Sequence, residues 1–296
     1  MSLIHSFIEN DIKASEGVDT SKISSIKAGG YAKYGIYPEN LGSLIKAVKI
    51  CLLLEIKFKI IGGCTNTFFK DGEYGGAVIF TKKLNRIKIC DGYVSCECGC
   101  SLSKLLKTCA NANLEISNNL FGIPGTLGGA VHNNAGAFGS EICESFSEGL
   151  FMNYETTEVM TLRCSDLQYA YRSSLLMREP LIFLQGKLST KPKDTAICLK
   201  EFKKYAQMRR KKQPSAPSLG SFFKRSDNVV PAELIDKAGL KNYRVNDAAI
   251  SDKHAGFIVN LGNATASDID LLAKKVEAKI KDMYNVSLQR EAELVE

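Results

Sequence analysis

The parts of this sequence most suited to chemistry are two glycine-rich loops and a cluster of cations. The first loop is Gly62-Gly63-Cys64-Thr65-Asn66-Thr67, directly after the apolar run Phe58-Lys59-Ile60-Ile61. Glycine lets a backbone approach a ligand closely, and successive amides with Thr65, Asn66 and Thr67 can cradle a phosphate. The second is Gly122-Ile123-Pro124-Gly125-Thr126-Leu127-Gly128-Gly129, followed by a weakly polar run that could open a helix. That too suits an anion at a helix start. Two such loops about sixty residues apart suit a ligand with a long diphosphate, such as a dinucleotide. On residues alone, a plain turn and a tight crossover under a sheet stay open as alternatives. No G-x-G-x-x-G, G-x-x-x-x-G-K-[ST] or H-E-x-x-H occurs.

The cations are concentrated. The 296 residues carry 39 Lys plus Arg against 32 Asp plus Glu, a net charge of +7. Between Lys191 and Arg225 stand 11 basic residues and two acids, so this segment is +9 and the remainder −2. Such a segment is built to meet an anion. Arg209 and Lys212, three apart, fall on one face if the stretch is helical. Phe202, Tyr205, Phe222 and Phe223 lie among these charges and could stack bases, which keeps a nucleic-acid-binding protein open as a reading from a different class. No nucleic-acid motif accompanies them.

The elements that must position these groups read as a mixture without a strict βαβ repeat, an α+β class. Apolar residues at helical period mark 41–55. Strands are expected at 58–61 and 77–80, and a hairpin at 86–98 around Asp91-Gly92. Ser101 reads as the N-cap of a helix reaching Asn113, and further strands fall around 149–162 and 181–188. Helices are expected near 195–212, 231–238 and 267–284, then a closing strand at 286–295. Apolar residues at 45% and charged residues at 24% exclude a disordered or fibrous chain. The N-terminus does not read as a signal peptide and no apolar run suits a membrane span, so a cytoplasmic protein is expected. Cys96, Cys98 and Cys100 would share one strand face. No C-x-x-C exists and His5, His132 and His254 are scattered, so these read as buried thiols and no metal is expected.

Several motifs in order resemble the UDP-N-acetylenolpyruvoylglucosamine reductase family nearly end to end. Ile60 to Thr67 with Asp71-Gly72 resembles its first FAD loop. Gly122 to Val131 with Asn134-Ala135-Gly136-Ala137-Phe138-Gly139 and Glu141 resembles its second and most specific one. Tyr171-Arg172-Ser173-Ser174, Gln213-Pro214 with Pro217 to Arg225, Ser251 to Asn260 and Leu288-Gln289-Arg290-Glu291 resemble its later segments. The resemblance implies an FAD-binding domain of the vanillyl-alcohol-oxidase (PCMH) type at 1–190, in subdomains of about 1–80 and 81–190. It implies a smaller α+β substrate domain at 191–296, whose final strand, 286–296, returns toward the active site. The 40 residues between Arg172 and Gln213 match the shorter subfamily, which lacks a tyrosine-bearing loop.

The activity so implied is NADPH-dependent reduction of the enolpyruvyl group of UDP-N-acetylglucosamine enolpyruvate, with non-covalent FAD, in peptidoglycan synthesis. Arg172 would grip the carboxylate and enolate, Ser221 would donate the proton, and Glu291 would organise the enolate end. The two loops with Asn134, Ala135 and Gly136 would bind the cofactor. Tyr171, Arg209, Lys212, Lys224 and Asn260 would bind substrate. A monomer, with no nucleic-acid or membrane partner, is expected. A second enzyme reading is an oxidase tethering flavin covalently through His132 or Cys143. The chain departs from the family at Cys64 and Thr65 (glycine and serine usual), His132 (tyrosine), Leu219 (a small residue), Asn242 and Asn246 (glycines) and Ala292 (valine).

Overall fold

The structure, a computed structural model, describes residues 3–226 and 228–296. It divides into two units, Met1–Glu16 with Tyr34–Gly63 and Gly76–Met208, and Gly17–Lys33 with Cys64–Gly75 and Arg209–Glu296. The break between these units at Met208 and Arg209 falls within the helix Thr195–Lys212. The reason is packing: Cys198 and Phe202 are buried in the first core, with Phe202 stacked on Phe121 at 4.1 Å. Ile26, Ala28 and Phe68, from the N-terminal part of the chain, are buried in the second core.

The first unit carries a five-stranded antiparallel sheet, ordered Val159–Arg163, Phe146–Asn153, Leu181–Ser189, Tyr93–Glu97, Ile87–Cys90. The last two strands are the Asp91-Gly92 hairpin. The strand Phe58–Ile61 runs parallel to Glu73–Phe80. The helix Leu41–Leu53 opens on Asn40, which accepts from the Ser43 amide at 2.9 Å. The helix Leu102–Asn111 opens on Ser101, which accepts from Lys104 at 3.1 Å. Each N-cap satisfies an amide that a helix start leaves unpaired.

The cysteine cluster differs from expectation. The strand stops at Glu97, and Cys98-Gly99-Cys100 turns away from it. A side chain at Gly99 would overlap the Thr81 carbonyl, so only glycine fits the turn. All three thiols are buried. Burial pushes Cys98 up to about 12. A hydrogen bond with Cys100 and burial push Cys96 up as well.

The second unit holds an antiparallel sheet ordered Ser218–Ser221, Phe257–Asn260, Ala248–Ile250, Arg244–Val245, with helices Pro231–Lys237 and Ala266–Tyr284. Thr265 caps the longer helix in a reciprocal box with Asp268. Asp71 adds a second cap, its carboxylate accepting from Ala266 at 2.9 Å and Ser267 at 2.8 Å. An acid there also complements the helix dipole. Asp71→Ala is expected to cost ~1 kcal/mol of stability, read as a lower urea midpoint with unchanged slope.

Of the closing strand expected at 286–295, only Glu293–Val295 forms, parallel to Thr67–Phe69. The residues before it instead bond one by one to the segment around Phe222. No helix of the described residues is long and apolar enough to cross a membrane.

Candidate active site

In the second unit, Ser221 and Glu291 come together through backbone pairing. Gly220 adopts φ +82, and the ladder with Phe257–Asn260 breaks register between Ser218 and Ser221. That break leaves Ser221 exposed at the strand end, opposite Phe257. The next residue, Phe222, accepts from the Glu291 amide at 2.8 Å. Asn66, expected on the cofactor, donates its side-chain amide to the Glu291 carbonyl at 2.9 Å, and the Glu293 amide returns a bond to the Asn66 carbonyl at 2.9 Å. Beside it, Cys64 stands at φ +53 with its thiol on the Thr67 carbonyl at 3.2 Å. The left-handed backbone explains why glycine is the easier residue there. Asn242 and Asn246 are also left-handed, at φ 62 and 48, a conformation Asn tolerates.

The same unit is electropositive around His254. Burial first, then the charges of Arg225, Lys241 and Lys212, hold its imidazole below its ordinary value of 6.5, so it is neutral at pH 7. His254 accepts from Gly256 and meets Phe257, the strand partner of Ser221, edge-on. Arg209 is half-buried and Lys212 exposed on the helix Thr195–Lys212. Lys224 is half-buried, and its amide bonds Gln289 at 2.8 Å.

Asn260 is a correction. It is buried, its two amide hydrogens go to Ile26 and Lys27 carbonyls, and its oxygen accepts from Gly262 and Ala264. That leaves no group for substrate, and Asn260 staples two backbone segments instead.

In the first unit, Arg172 sits at φ +50 in a tight turn closed by reciprocal bonds between Ala170 and Ser173. A non-glycine residue in this region carries about 1–2 kcal/mol of strain, of the kind that gathers at working sites. Its guanidinium donates to Gly136 O at 2.7 Å and Asn134 O at 3.4 Å, and lies 4.9 Å from the Tyr171 ring centre. A side chain at Gly136 would overlap the Ser140 carbonyl and the Glu141 side chain, and would also crowd Arg172 Nη1, which accounts for that glycine. Asn134 is buried, its two amide hydrogens donated to Glu141 Oε2 and Ala170 O and its oxygen accepting from the Cys143 amide, which fixes the Arg172 turn.

The second loop also revises the expected anion site. The short helix Leu127–His132 does follow it, with Thr126 as N-cap. Its first amides, Leu127 and Gly128, already donate to Cys100 O and Cys98 O at 2.8 Å each. Those two amides are therefore spent within the protein. Among the described residues, the amides of Gly62, Gly63, Asn66, Gly122, Gly125 and Thr126 along the two loops make no backbone hydrogen bond.

Comparison with known proteins places these features in a class and then a family. Residues 32–152 match the FAD binding domain. The fold is shared with glucooligosaccharide oxidase from Acremonium strictum (TM-score 0.51, 11% identity, 98% of this chain and 60% of that one). The chain is thus an FAD-binding protein of the PCMH type. Residues 212–295 match the C-terminal domain of UDP-N-acetylenolpyruvoylglucosamine reductase. The reductase of Caldicellulosiruptor saccharolyticus is 37% identical over 275 residues, covering 92% of this chain and 88% of the relative. That of Streptococcus pneumoniae is 32% identical over 295 residues, 97% of each chain. The crystal structure of the Thermus caldophilus reductase superposes with TM-score 0.82 at 27% identity, over 96% of this chain and all of that one. The chain belongs to the UDP-N-acetylenolpyruvoylglucosamine reductase family.

The residues present fit FAD. The two loops approach closely in the first unit: a side chain at Gly62 would overlap Thr126 Oγ1, and the amides of Gly62, Gly63, Gly122, Gly125 and Thr126 make no backbone hydrogen bond among the described residues. Phosphate oxygens are the acceptors such amides lack. Gly62→Ala forces the two loops apart, an overpacking worth about 1–3 kcal/mol. FAD is expected to bind roughly tenfold or more weakly, measured by flavin fluorescence titration. An unchanged affinity would take the Gly62–Thr126 approach out of the cradle.

Proposed function

We propose that this chain reduces the enolpyruvyl group of UDP-N-acetylglucosamine enolpyruvate to the lactyl ether of UDP-N-acetylmuramate, using NADPH and non-covalent FAD, in peptidoglycan synthesis. The observation that carries the reading is the pairing of the Ser221 segment with Glu291, in a chain whose full-length relatives carry the reductase's name. FAD, when bound, supplies the hydride carrier between NADPH and the terminal carbon of the double bond.

The chain's own residues do the rest. Arg172 binds the substrate carboxylate bidentately and stabilises the negative charge that grows on it as the double bond is reduced. Ser221 holds a proton on its exposed hydroxyl and releases it to the neighbouring carbon. Serine is a weak acid, but an enolate is the stronger base. Glu291 orders the enolate end. Gly62, Gly63, Gly122, Gly125 and Thr126 hold the cofactor's phosphates, with the remaining second-loop residues beside them, and Cys64, Thr65, Asn66 and Thr67 are the cofactor-binding residues of the second unit. Tyr171, Arg209, Lys212 and Lys224 bind substrate, the basic surplus near Ser221 meeting its diphosphate.

On this reading 1–190 is the FAD-binding portion and 191–296 the substrate portion. It also makes the enzyme cytoplasmic, since both nucleotide substrates are made inside the cell, and it takes the enzyme as a monomer. The test is a visible spectrum followed by anaerobic mixing. Bound flavin should bleach with NADPH and recover its colour on adding the enolpyruvyl substrate. A colourless protein, or one whose flavin stays with acid-precipitated polypeptide, would refute the reading.

A further inference from the structure

In the second unit, the tail that delivers Glu291 is held on two sides. Along its backbone, Gln289 accepts from Lys224 at 2.8 Å, Arg290 bridges Phe223, and Glu291 donates to Phe222 at 2.8 Å. Successive side chains of an extended segment point to opposite sides, so Arg290 and Glu291 project in opposite directions. Arg290 projects onto the helix Ala266–Tyr284. Its Nη1 lies 2.6 Å from Asp270 Oδ1, its Nε 2.6 Å from Glu277 Oε1 and its Nη2 3.2 Å from Glu277 Oε2. Asp270 and Glu277 are seven residues apart, two turns along one helix face.

This differs from a surface ion pair, which holds little. The three side chains are only 19–27% exposed. A guanidinium bound at three nitrogens to two carboxylates has one orientation, which an ammonium could not reproduce. The helix on which it is clamped is itself doubly capped, by Thr265 and Asp71.

We propose that Arg290 is a positioning residue: clamped by Asp270 and Glu277, it fixes the rotation of the tail and so the direction in which Glu291 projects beside the Ser221 segment. The proposal rests on the assignment of Glu291 to catalysis made above. A structural staple alone would affect stability and cofactor retention. A positioning residue affects the step that uses Glu291.

The experiment compares FAD-loaded wild type, Glu291→Gln, Arg290→Gln, Arg290→Lys and the double variant Arg290→Gln/Glu291→Gln by anaerobic stopped flow. Flavin bleaching by NADPH and recovery with UDP-N-acetylglucosamine enolpyruvate are timed separately. Arg290→Gln should bleach at the parental rate and recover about 10- to 100-fold more slowly, the usual effect of a small misplacement. Arg290→Lys should recover between the two. The double variant should be no slower than Glu291→Gln alone, because the clamp acts through that residue. A parental recovery rate for Arg290→Gln, or losses that multiply in the double variant, would overturn the proposal. If Arg290→Gln fails to hold flavin, Glu277→Gln, which removes the bidentate half of the clamp, takes its place in the same comparison. If Glu291→Gln itself recovers at the parental rate, the catalytic assignment fails and the proposal with it. That outcome is distinct from a slow Glu291→Gln beside a fast Arg290→Gln.

Discussion

Ser221→Ala should leave flavin bleaching by NADPH untouched and slow recovery with the enolpyruvyl substrate by about 10²–10⁴-fold, the range for losing a positioned proton donor. The separation follows from where the residue sits. Its hydroxyl is exposed at a strand end and makes no hydrogen bond among the described residues. Removing it breaks no structural contact, so stability and flavin content should hold. Ser221→Cys keeps a transferable proton in a slightly larger group and should fall between alanine and wild type. An alanine variant that recovers at the parental rate would show that the proton comes from elsewhere.

Arg172→Gln should lower kcat/KM for the enolpyruvyl substrate by about 10²–10³-fold, mostly through kcat, since on the proposed function the charge Arg172 would stabilise is greatest in the transition state. Arg172→Lys should recover little of this. Lysine keeps the charge but cannot bind a carboxylate bidentately, and it loses the two-point hold on Gly136 O and Asn134 O. The strain at φ +50 sharpens the contrast. Neither variant relieves it, so any difference in rate reflects the side chain. Steady-state kinetics with both substrates varied separates the effect: the KM for NADPH should not move.

The regular elements were largely legible because each is announced locally. Asn40 and Ser101 mark helix starts, Asp91-Gly92 marks a hairpin, and Pro231 opens a short helix. The glycine loops were legible as backbone devices, but their use was not. Sequence placed the anion cradle at the start of Leu127–His132, whereas those amides dock on the Cys98 and Cys100 carbonyls, partners that spacing cannot reveal. The same limit explains Asn134 and Asn260. Both stand in motifs that resemble a binding site, and both hydrogen-bond inward to backbone from distant segments. Asp71 and Arg290 were missed for a related reason. Each acts on the helix Ala266–Tyr284 from outside it, and no pattern within their own segments signals that. An Asp-to-Glu spacing of seven on a helix, with an arginine just past the helix end, is the one sequence signal that could have suggested the clamp.

The parallel pairing of Glu293–Val295 with Thr67–Phe69 joins residues 226 apart in the chain. Closing so long a loop costs about 5 kcal/mol of chain entropy before any contact in the second unit rewards it. That unit therefore has a high contact order and should complete slowly and late in folding. Residues 209–296 expressed alone would lack Ile26, Ala28 and Phe68 from their core and Asp71 from their longest helix. The segment bearing Ser221 and Glu291 should therefore not fold as an autonomous module, because the tail that carries Glu291 pairs with the early strand Thr67–Phe69.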